Sequence, residues 1–349
     1  MLALRKTQPA FGAELVDIAL PDRGTPGPGE ARVRVAAAGI CGSDLHAFEW
    51  TPGYEFMERL LPVTFGHEFA GTIEALGEGV EGLEPGDRVT CWPTLTCGDC
   101  PGCRSGAPLC CENRRIVGLH RDGGFAARVT VPARVLRRLP EGLDLGLAAL
   151  TEPLAVAVHA VDTADIAPGD RVAVLGPGPI GLAAAFVAAR RGAKVMVAGF
   201  EDAPRLAVAR TMGAAHVADL AEAPLANAVQ AAFGSRIDRV IEATGVASSV
   251  EDGLAVLRPG GILVAAGIHA RPVSLDLTRL VREKKQLRGA HDTTEAAFAA
   301  AMALLVAEGA TLGALVTHRL PLGRALEAMA LARSRQAVKV MLTPDEEIR

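Results

Sequence analysis

Between residues 171 and 198 the chain reads as a buried strand, a glycine turn, a small-residue helix and a second strand, in that order. Arg171-Val172-Ala173-Val174-Leu175 is an apolar run of strand length. Gly176-Pro177-Gly178-Pro179-Ile180-Gly181 follows at once and opens an Ala/Leu-rich helix to Arg191, and Lys194–Ala198 returns as strand. Two apolar strands joined by a helical crossover lie parallel in one sheet with both faces covered. A helix over Arg205–Met212 and strands at Arg239–Ala243 and Gly261–Ala266 continue the alternation. The stretch from about 153 to 290 therefore reads as a doubly wound parallel sheet, an α/β architecture.

A bare G-x-G-x-x-G says little. Placed between a strand and a helix, it lets the backbone approach a pyrophosphate at the helix N-terminus, so Gly176, Gly178 and Gly181 are candidate dinucleotide contacts. The acid that would hold the ribose hydroxyls is expected near position 200, at the end of the second strand. That residue is Phe200, followed by Glu201 and Asp202. No Lys or Arg stands next to it in the chain to pair a 2′-phosphate, and two carboxylates repel one. The reading favours NAD without excluding NADP.

The first 152 residues have another texture. Ala31–Ala37, Gly71–Leu76, Asp87–Cys91 and Arg128–Val131 read as strands bounded by Gly and Pro, giving a β-rich domain with irregular loops. The pentapeptide Pro-Gly-Asp-Arg-Val occurs at 85–89 and 168–172, each time as a turn feeding a strand. After about 291 come a long helix, Thr294–Glu308, and a last strand, Ala337–Leu342, placed to return to the first domain. Half of the 349 residues are hydrophobic, with ten Phe, two Trp and one Tyr, so the core is mostly aliphatic and alanine. A net charge of −4 gives no footprint for nucleic acid or an anionic membrane. Apolar stretches such as Leu147–Val161 are interrupted by Glu152, Pro153 and His159, short of the ~18 uninterrupted apolar residues of a membrane span. With no secretory pattern at the start, a cytoplasmic protein is expected.

Cysteine usage is uneven. Cys97, Cys100, Cys103 and Cys111 fall within fifteen residues, among Gly and Pro that offer little core to hide them, and match a tetrahedral four-thiolate structural zinc. Cys110 is a rival for the last ligand. A second, dispersed set comprises Cys41, His67, Glu68 and Glu152: one thiolate, one imidazole and carboxylates that can bind zinc while leaving a position open.

The segments Gly66-His67-Glu68-Phe69-Ala70-Gly71, with Gly77 and Val80, and Gly39-Ile40-Cys41-Gly42-Ser43-Asp44-Leu45-His46 resemble the zinc signature of the medium-chain dehydrogenase/reductase superfamily. The four-cysteine lobe and the dinucleotide fingerprint appear in that family's order, so the resemblance spans essentially the whole chain. The run from Glu152 to Ala160 looks most like the polyol (sorbitol-type) branch, which also resembles threonine and butanediol dehydrogenases.

The resemblance implies a GroES-like β-rich catalytic domain over 1–153 and 291–349, and a Rossmann domain over 154–290. It implies two zincs per chain. Cys41 and His67 would ligate the catalytic one, with Glu68 a ligand or a partner behind the ligands and Glu152 binding directly or through water. Ser43 and His46 match the family's proton relay; otherwise they read as a turn-capping hydroxyl and a surface histidine. Ile180, Arg205, Ala266, Gly267, Ile268, Ala290 and His291 resemble dinucleotide contacts, although Arg205 reads equally as a solvated helix residue. Trp50, Tyr54, Leu119 and His120 would border the substrate, with Phe48 and Trp50 also readable as loop anchors. Arg104, Arg114, Arg115 and Arg121 form a basic stretch, either a solvated face or a site for an acidic sugar.

The activity implied is hydride transfer between NAD(P) and a secondary alcohol on a polyol, sugar, sugar acid or diol, in a homodimer or homotetramer. A threonine dehydrogenase, or a catalytically silent nucleotide-binding relative, are the alternatives.

Overall fold

The computed structural model describes residues 1–19 and 25–344. In the first part, short extended runs between Gly/Pro turns become β1 (Leu2–Lys6), β2 (Glu14–Asp17), β3 (Glu30–Gly39), β4 (Val63–Thr64), β5 (Glu68–Leu76), β6 (Arg88–Cys91), β7 (Thr94–Leu95), β8 (Arg115–Ile116), β9 (Arg128–Pro132) and β10 (Leu136–Arg138). Two short helices interrupt them, α1 (Gly42–Glu49) and α2 (Pro101–Arg104). Along β3, Ala31, Val33 and Val35 are buried while Arg32 and Arg34 point the other way. That alternation fits an antiparallel sheet with one face on the core, and β3 pairs antiparallel with both β5 and β9.

From Leu145 the pattern changes to α3 (Leu145–Ala148) and α4 (Thr151–Thr163). Then come β11 (Arg171–Leu175), α5 (Pro179–Arg190), β12 (Lys194–Gly199), α6 (Ala203–Thr211), β13 (His216–Asp219) and α7 (Leu225–Phe233). After these run β14 (Ile237–Glu242), α8 (Ala247–Val256), β15 (Leu257–Ala265), α9 (Leu277–Arg282) and β16 (Gln286–Gly289). The strands form one parallel sheet in the order β13-β12-β11-β14-β15-β16. The chain steps outward from β11 to β13 and resumes on the other side at β14. Helices leaving in opposite directions open a crevice at the C-terminal ends of β11 and β14. The glycine turn lies there. Gly176 has φ +102°, and a Cβ on Gly181 would stand 1.9 Å from the Gly176 carbonyl oxygen, so neither position accepts a side chain. One face of the sheet is covered by α4 and α5, whose Ala155, Ala184 and Ala188 are fully buried in a shared core.

The remaining elements are α10 (Glu295–Leu312), β17 (Val316–Pro321), α11 (Ala325–Arg333) and β18 (Lys339–Thr343). Thr294 caps α10, its Oγ1 accepting from the Ala297 N–H at 3.0 Å, and the helix runs on to Leu312 across a kink at Glu308. By length and composition α10 could cross a membrane; here its Phe298, Ala301 and Leu305 lie in the same core as α4. Strand β18 pairs with β17 and, antiparallel, with β3, bringing Met341 opposite Gly39. The first sheet is thus completed by the last strand of the chain, as its sequence suggests. Both copies of the repeated pentapeptide make the same turn. Asp87 and Asp170 each accept a hydrogen bond from the backbone N–H three residues before, at 2.7 and 3.0 Å.

Candidate active site

Strand register assembles the site. Gly39 pairs with Glu68 in the β3–β5 ladder, so Cys41, two residues beyond Gly39, meets His67, one residue before Glu68. A Cβ on Gly39 would stand 2.2 Å from a Glu68 carboxylate oxygen and 3.3 Å from Lys339 Cδ, so a side chain there would push on the Glu68–Lys339 pair. Cys41 caps α1 in extended conformation, and its N–H donates to Asp44 Oδ2 at 2.9 Å. The ligand atoms of Cys41, His67 and Glu68 lie within 4.8 Å of one another.

His67 is buried, with Nε2 3.3 Å from Ser43 Oγ and Nδ1 3.6 Å from Asp44 Oδ1. That second separation is too long for a hydrogen bond, and both atoms are buried with no partner among the described residues. Burial alone would lower the His67 pKa. The charges of Asp44 and Cys41 outweigh it and hold the ring well above its ordinary value. The pocket therefore attracts a cation, and its soft thiolate beside an imidazole suits zinc.

The two carboxylates differ. Both oxygens of Glu68 accept from Lys339 Nζ, at 2.7 and 2.6 Å, and the same ammonium donates to the Ile40 carbonyl at 2.9 Å. Glu68 is thus committed to a buried lysine. Glu152, in the first turn of α4, lies outside the 4.8 Å set. Burial, reinforced by Glu68 and Asp292 against the pull of His67 and Lys339, pushes its carboxyl up to about 8.

One helical turn after Ser43, His46 is half-buried, and burial lowers its pKa despite Glu49. Its Nδ1 is 3.1 Å from Thr51 Oγ1, and its ring stacks on Tyr54 with centroids 5.9 Å apart. Burial, with Cys41 and Asp44, raises the Tyr54 hydroxyl well above its usual range. Tyr54 therefore faces the site. Phe48 is buried edge-on to Phe11, and Trp50 lies under Lys6 Nζ at 5.2 Å, so these two anchor the loop. Leu119 is buried. His120 stacks on Phe56 at 4.4 Å, its Nδ1 accepts from the Ile116 N–H, and burial with Arg115 and Arg114 holds it down to about 4. The basic stretch is largely spoken for, since Arg114 pairs with Asp292, Arg121 with Glu30, and Arg104 with the Asp99 carbonyl.

The second cluster is self-contained. The sulfurs of Cys97, Cys100, Cys103 and Cys111 all lie within 4.8 Å of one another, and Cys110 is exposed outside the set. Cys97 stands 4.0 Å from Cys103 and 3.6 Å from Cys111. A tetrahedron with Zn–S bonds of about 2.3 Å has edges of about 3.8 Å, which these separations fit.

Ile180 is in the first turn of α5. Ala266, Gly267, Ile268, Ala290 and His291 follow the C-terminal ends of β15 and β16, along the edge that carries the glycine turn. Glu242 ties this edge together. It accepts from the Thr244 and Gly245 N–H groups at 2.6 and 2.9 Å and lies 3.0 Å from His269 Nε2, while its carbonyl takes the Ala266 and Gly267 N–H groups. Arg205 Nη1 is 3.7 Å from where a Gly178 Cβ would be, so Arg205 lies over the glycine turn rather than in solvent. No Lys or Arg adjoins position 200 in the chain, but one reaches it through the fold. Folding brings Arg335 to the Phe200 carbonyl, a neighbour that adjacency in sequence did not reveal.

Residues 27–141 match the alcohol dehydrogenase GroES-like domain, and residues 145–343 the glucose dehydrogenase C-terminus. A sorbitol dehydrogenase of Halalkalibacterium halodurans is 36% identical, with 99% of each chain covered. An L-threonine 3-dehydrogenase of Saccharopolyspora erythraea is 35% identical over 98% of each. The solved 2R,3R-butanediol dehydrogenase of Bacillus subtilis superposes with a TM-score of 0.87 at 28% identity, covering 99% of both chains. The chain belongs to the zinc-containing medium-chain dehydrogenases.

As a medium-chain dehydrogenase of the polyol and threonine branch, it is an NAD(P)-dependent alcohol oxidoreductase with zinc and NAD(P) as cofactors, built from a GroES-like and a Rossmann unit. Three residues of this dehydrogenase escaped the sequence reading. Asp44 had a signal, an acid three residues after a capping Cys41. Lys339 had one too, a lone charge in an apolar strand. Asp292, which accepts from Thr94 Oγ1 at 2.8 Å, had none.

Proposed function

We propose that this enzyme reversibly oxidises a secondary alcohol on a polyol, sugar, sugar acid or diol. The carrying observation is Cys41 and His67 brought together beside Ser43, in a pocket whose buried His67 Nδ1 and Asp44 Oδ1 have no hydrogen-bond partner among the described residues. Zinc held there supplies Lewis acidity that lowers the pKa of a substrate hydroxyl, and NAD(P)+ accepts the hydride. Cys41 and His67 are the proposed ligands. Glu152 is the further carboxylate within electrostatic reach, and Glu68 positions through Lys339 rather than binding. Ser43 Oγ would accept the hydroxyl proton as it gives up its own to His46, three residues on and on the same helix face, and His46 would release one from Nδ1 towards Thr51. Asp44, 3.6 Å from His67 Nδ1, acts on the ring through its charge. Cys97, Cys100, Cys103 and Cys111 hold the second, structural zinc.

The unit boundaries proposed are 1–153 with 291–349, and 154–290, with Gly176, Gly178, Ile180, Gly181, Arg205, Ala266, Gly267, Ile268, Ala290 and His291 lining the dinucleotide site between them. A cytoplasmic homodimer or homotetramer is the corresponding assembly.

The test is the initial rate of nicotinamide reduction on polyols, sugar acids, diols and threonine, with each dinucleotide and with or without a zinc chelator. A chelator-sensitive rate on one polyhydroxy group is the expected outcome. Activity confined to threonine would replace this reading with the amino-alcohol one.

A further inference from the structure

The end of β12 is where a dinucleotide-binding sheet presents a carboxylate to the adenosine ribose. Here that end is built otherwise. Phe200, at that place, is exposed and has no acceptor to offer. Asp202, two residues on, is 2% exposed, and both of its oxygens are taken. Arg205 binds it in bidentate fashion, Nε to Oδ1 at 2.8 Å and Nη2 to Oδ2, and Arg335 Nη2 adds a contact to Oδ2 at 3.5 Å. Asp219 accepts from the backbone N–H groups of Glu201, Asp202 and Ala221, so it is committed to the chain turn. Glu201 is exposed and is the carboxylate of this group left to solvent.

Two guanidinium groups face the same spot. Arg205 is mostly buried and lies over Gly178, with its Nη1 given to no acceptor among the described residues. Arg335 comes from the turn between α11 and β18 and donates to the Phe200 carbonyl. Its Nη1 is likewise unspent among the described residues. Arg335 has φ +64°, a left-handed conformation that disfavours a bulky side chain and that marks positions held in place by their surroundings. With Asp202 and Asp219 spent, the one carboxylate of this turn left for a ribose diol among the described residues is Glu201. A phosphate needs cationic donors and finds an unspent Nη1 on each of these two guanidinium groups.

We propose that the enzyme takes NADP(H) in preference to NAD(H), with Arg205 and Arg335 donating to the 2′-phosphate. This rests on the dinucleotide reading of the glycine turn. Arg335 is the specificity-determining residue, because Arg205 also serves Asp202 and the turn itself.

Binding, measured without any alcohol, tests it. NADPH and NADH are titrated by nicotinamide fluorescence, and 2′,5′-ADP and 5′-AMP by calorimetry, on the zinc-loaded enzyme. The expected result is NADPH tighter than NADH by about tenfold or more, as one or two charge-assisted hydrogen bonds provide. 2′,5′-ADP should be tighter than 5′-AMP, and the preference should shrink as salt rises. Arg335→Gln should remove most of the NADPH advantage while NADH stays within about twofold, Arg335→Lys should retain part of it, and Glu201→Gln should enlarge it. NADH binding tighter than NADPH would overturn the proposal, as would Arg335→Gln weakening both equally, which would make Arg335 an anchor for the Phe200 turn. Failure of both dinucleotides to bind would instead bring down the underlying cofactor reading.

Discussion

The four-cysteine lobe and the Cys41–His67 pocket make an instructive pair. The lobe of Cys97, Cys100, Cys103 and Cys111 offers four sulfurs of one kind from one loop, all within 4.8 Å of one another. The Cys41–His67 pocket draws on a helix cap, a strand end and a distant buried lysine, and surrounds unlike ligands with Ser43, Asp44 and Glu152. A closed set of identical ligands can only hold. An open, mixed set backed by a hydroxyl and several carboxylates can also exchange a ligand and move a proton.

Separating these two roles gives the largest expected effect. Cys41→Ala should lower kcat/KM by about 10⁴-fold, roughly 5 kcal/mol of transition-state stabilisation. It should cost one of two zincs per chain by elemental analysis, with denaturant unfolding and dinucleotide binding little changed. Cys100→Ala should do the reverse, losing the other zinc and several kcal/mol of stability because metal binding is folding energy there. If Cys41→Ala destabilised the protein as much as Cys100→Ala, the contrast between the two sites would collapse.

Next comes the buried pair behind the pocket. Lys339→Met leaves the Glu68 carboxylate uncompensated in a fully buried position, and should destabilise by about 3–5 kcal/mol in urea titration. Lys339→Met together with Glu68→Gln should recover much of that loss. Failure to recover it would mean that Lys339 supports the fold through Ile40 rather than through Glu68.

The smallest effect sharpens the comparison by leaving both clusters untouched. Burial works to raise the Asp238 pKa, but the hydrogen bonds and charges of Arg258 and Arg171 outweigh it and hold it down to about 2. The pairs therefore contribute fully above the ordinary carboxylate value, and their contribution is lost as pH falls through about 2. Asp238→Asn should cost about 2 kcal/mol at neutral pH and flatten the acid limb of stability against pH, with turnover unchanged.

What the sequence disclosed follows the same division. The parallel sheet and the four-thiolate lobe are contiguous in sequence, so spacing alone reads them. Glycine at 176 and 181, and Cys97 through Cys111, need no tertiary knowledge. The pocket is different, because Cys41 and His67 meet only through the Gly39–Glu68 register, which motif resemblance anticipated and spacing did not. Lys339 lies 271 residues from its partner Glu68, and Arg335 lies 135 residues from Phe200. Pairings of that range leave no periodic trace. They show themselves as local oddities, a charge inside an apolar strand or an aromatic where an acid belongs.

The pairing of β18 with β3 also sets a timetable for synthesis. A ribosome that has just released Glu68 must add 271 more residues before Lys339 emerges, a wait of roughly 15 to 50 seconds at about 5–20 residues per second. Until then the end of β3 that carries Ala38 and Gly39 lacks β18 and Glu68 lacks its counter-ion, while every strand of the parallel sheet, complete at Gly289, has emerged before Lys339 does. The parallel sheet therefore has all its strands before the β3–β18 pairing can form. The open edge of β3 is the place where a chaperone has most to shield.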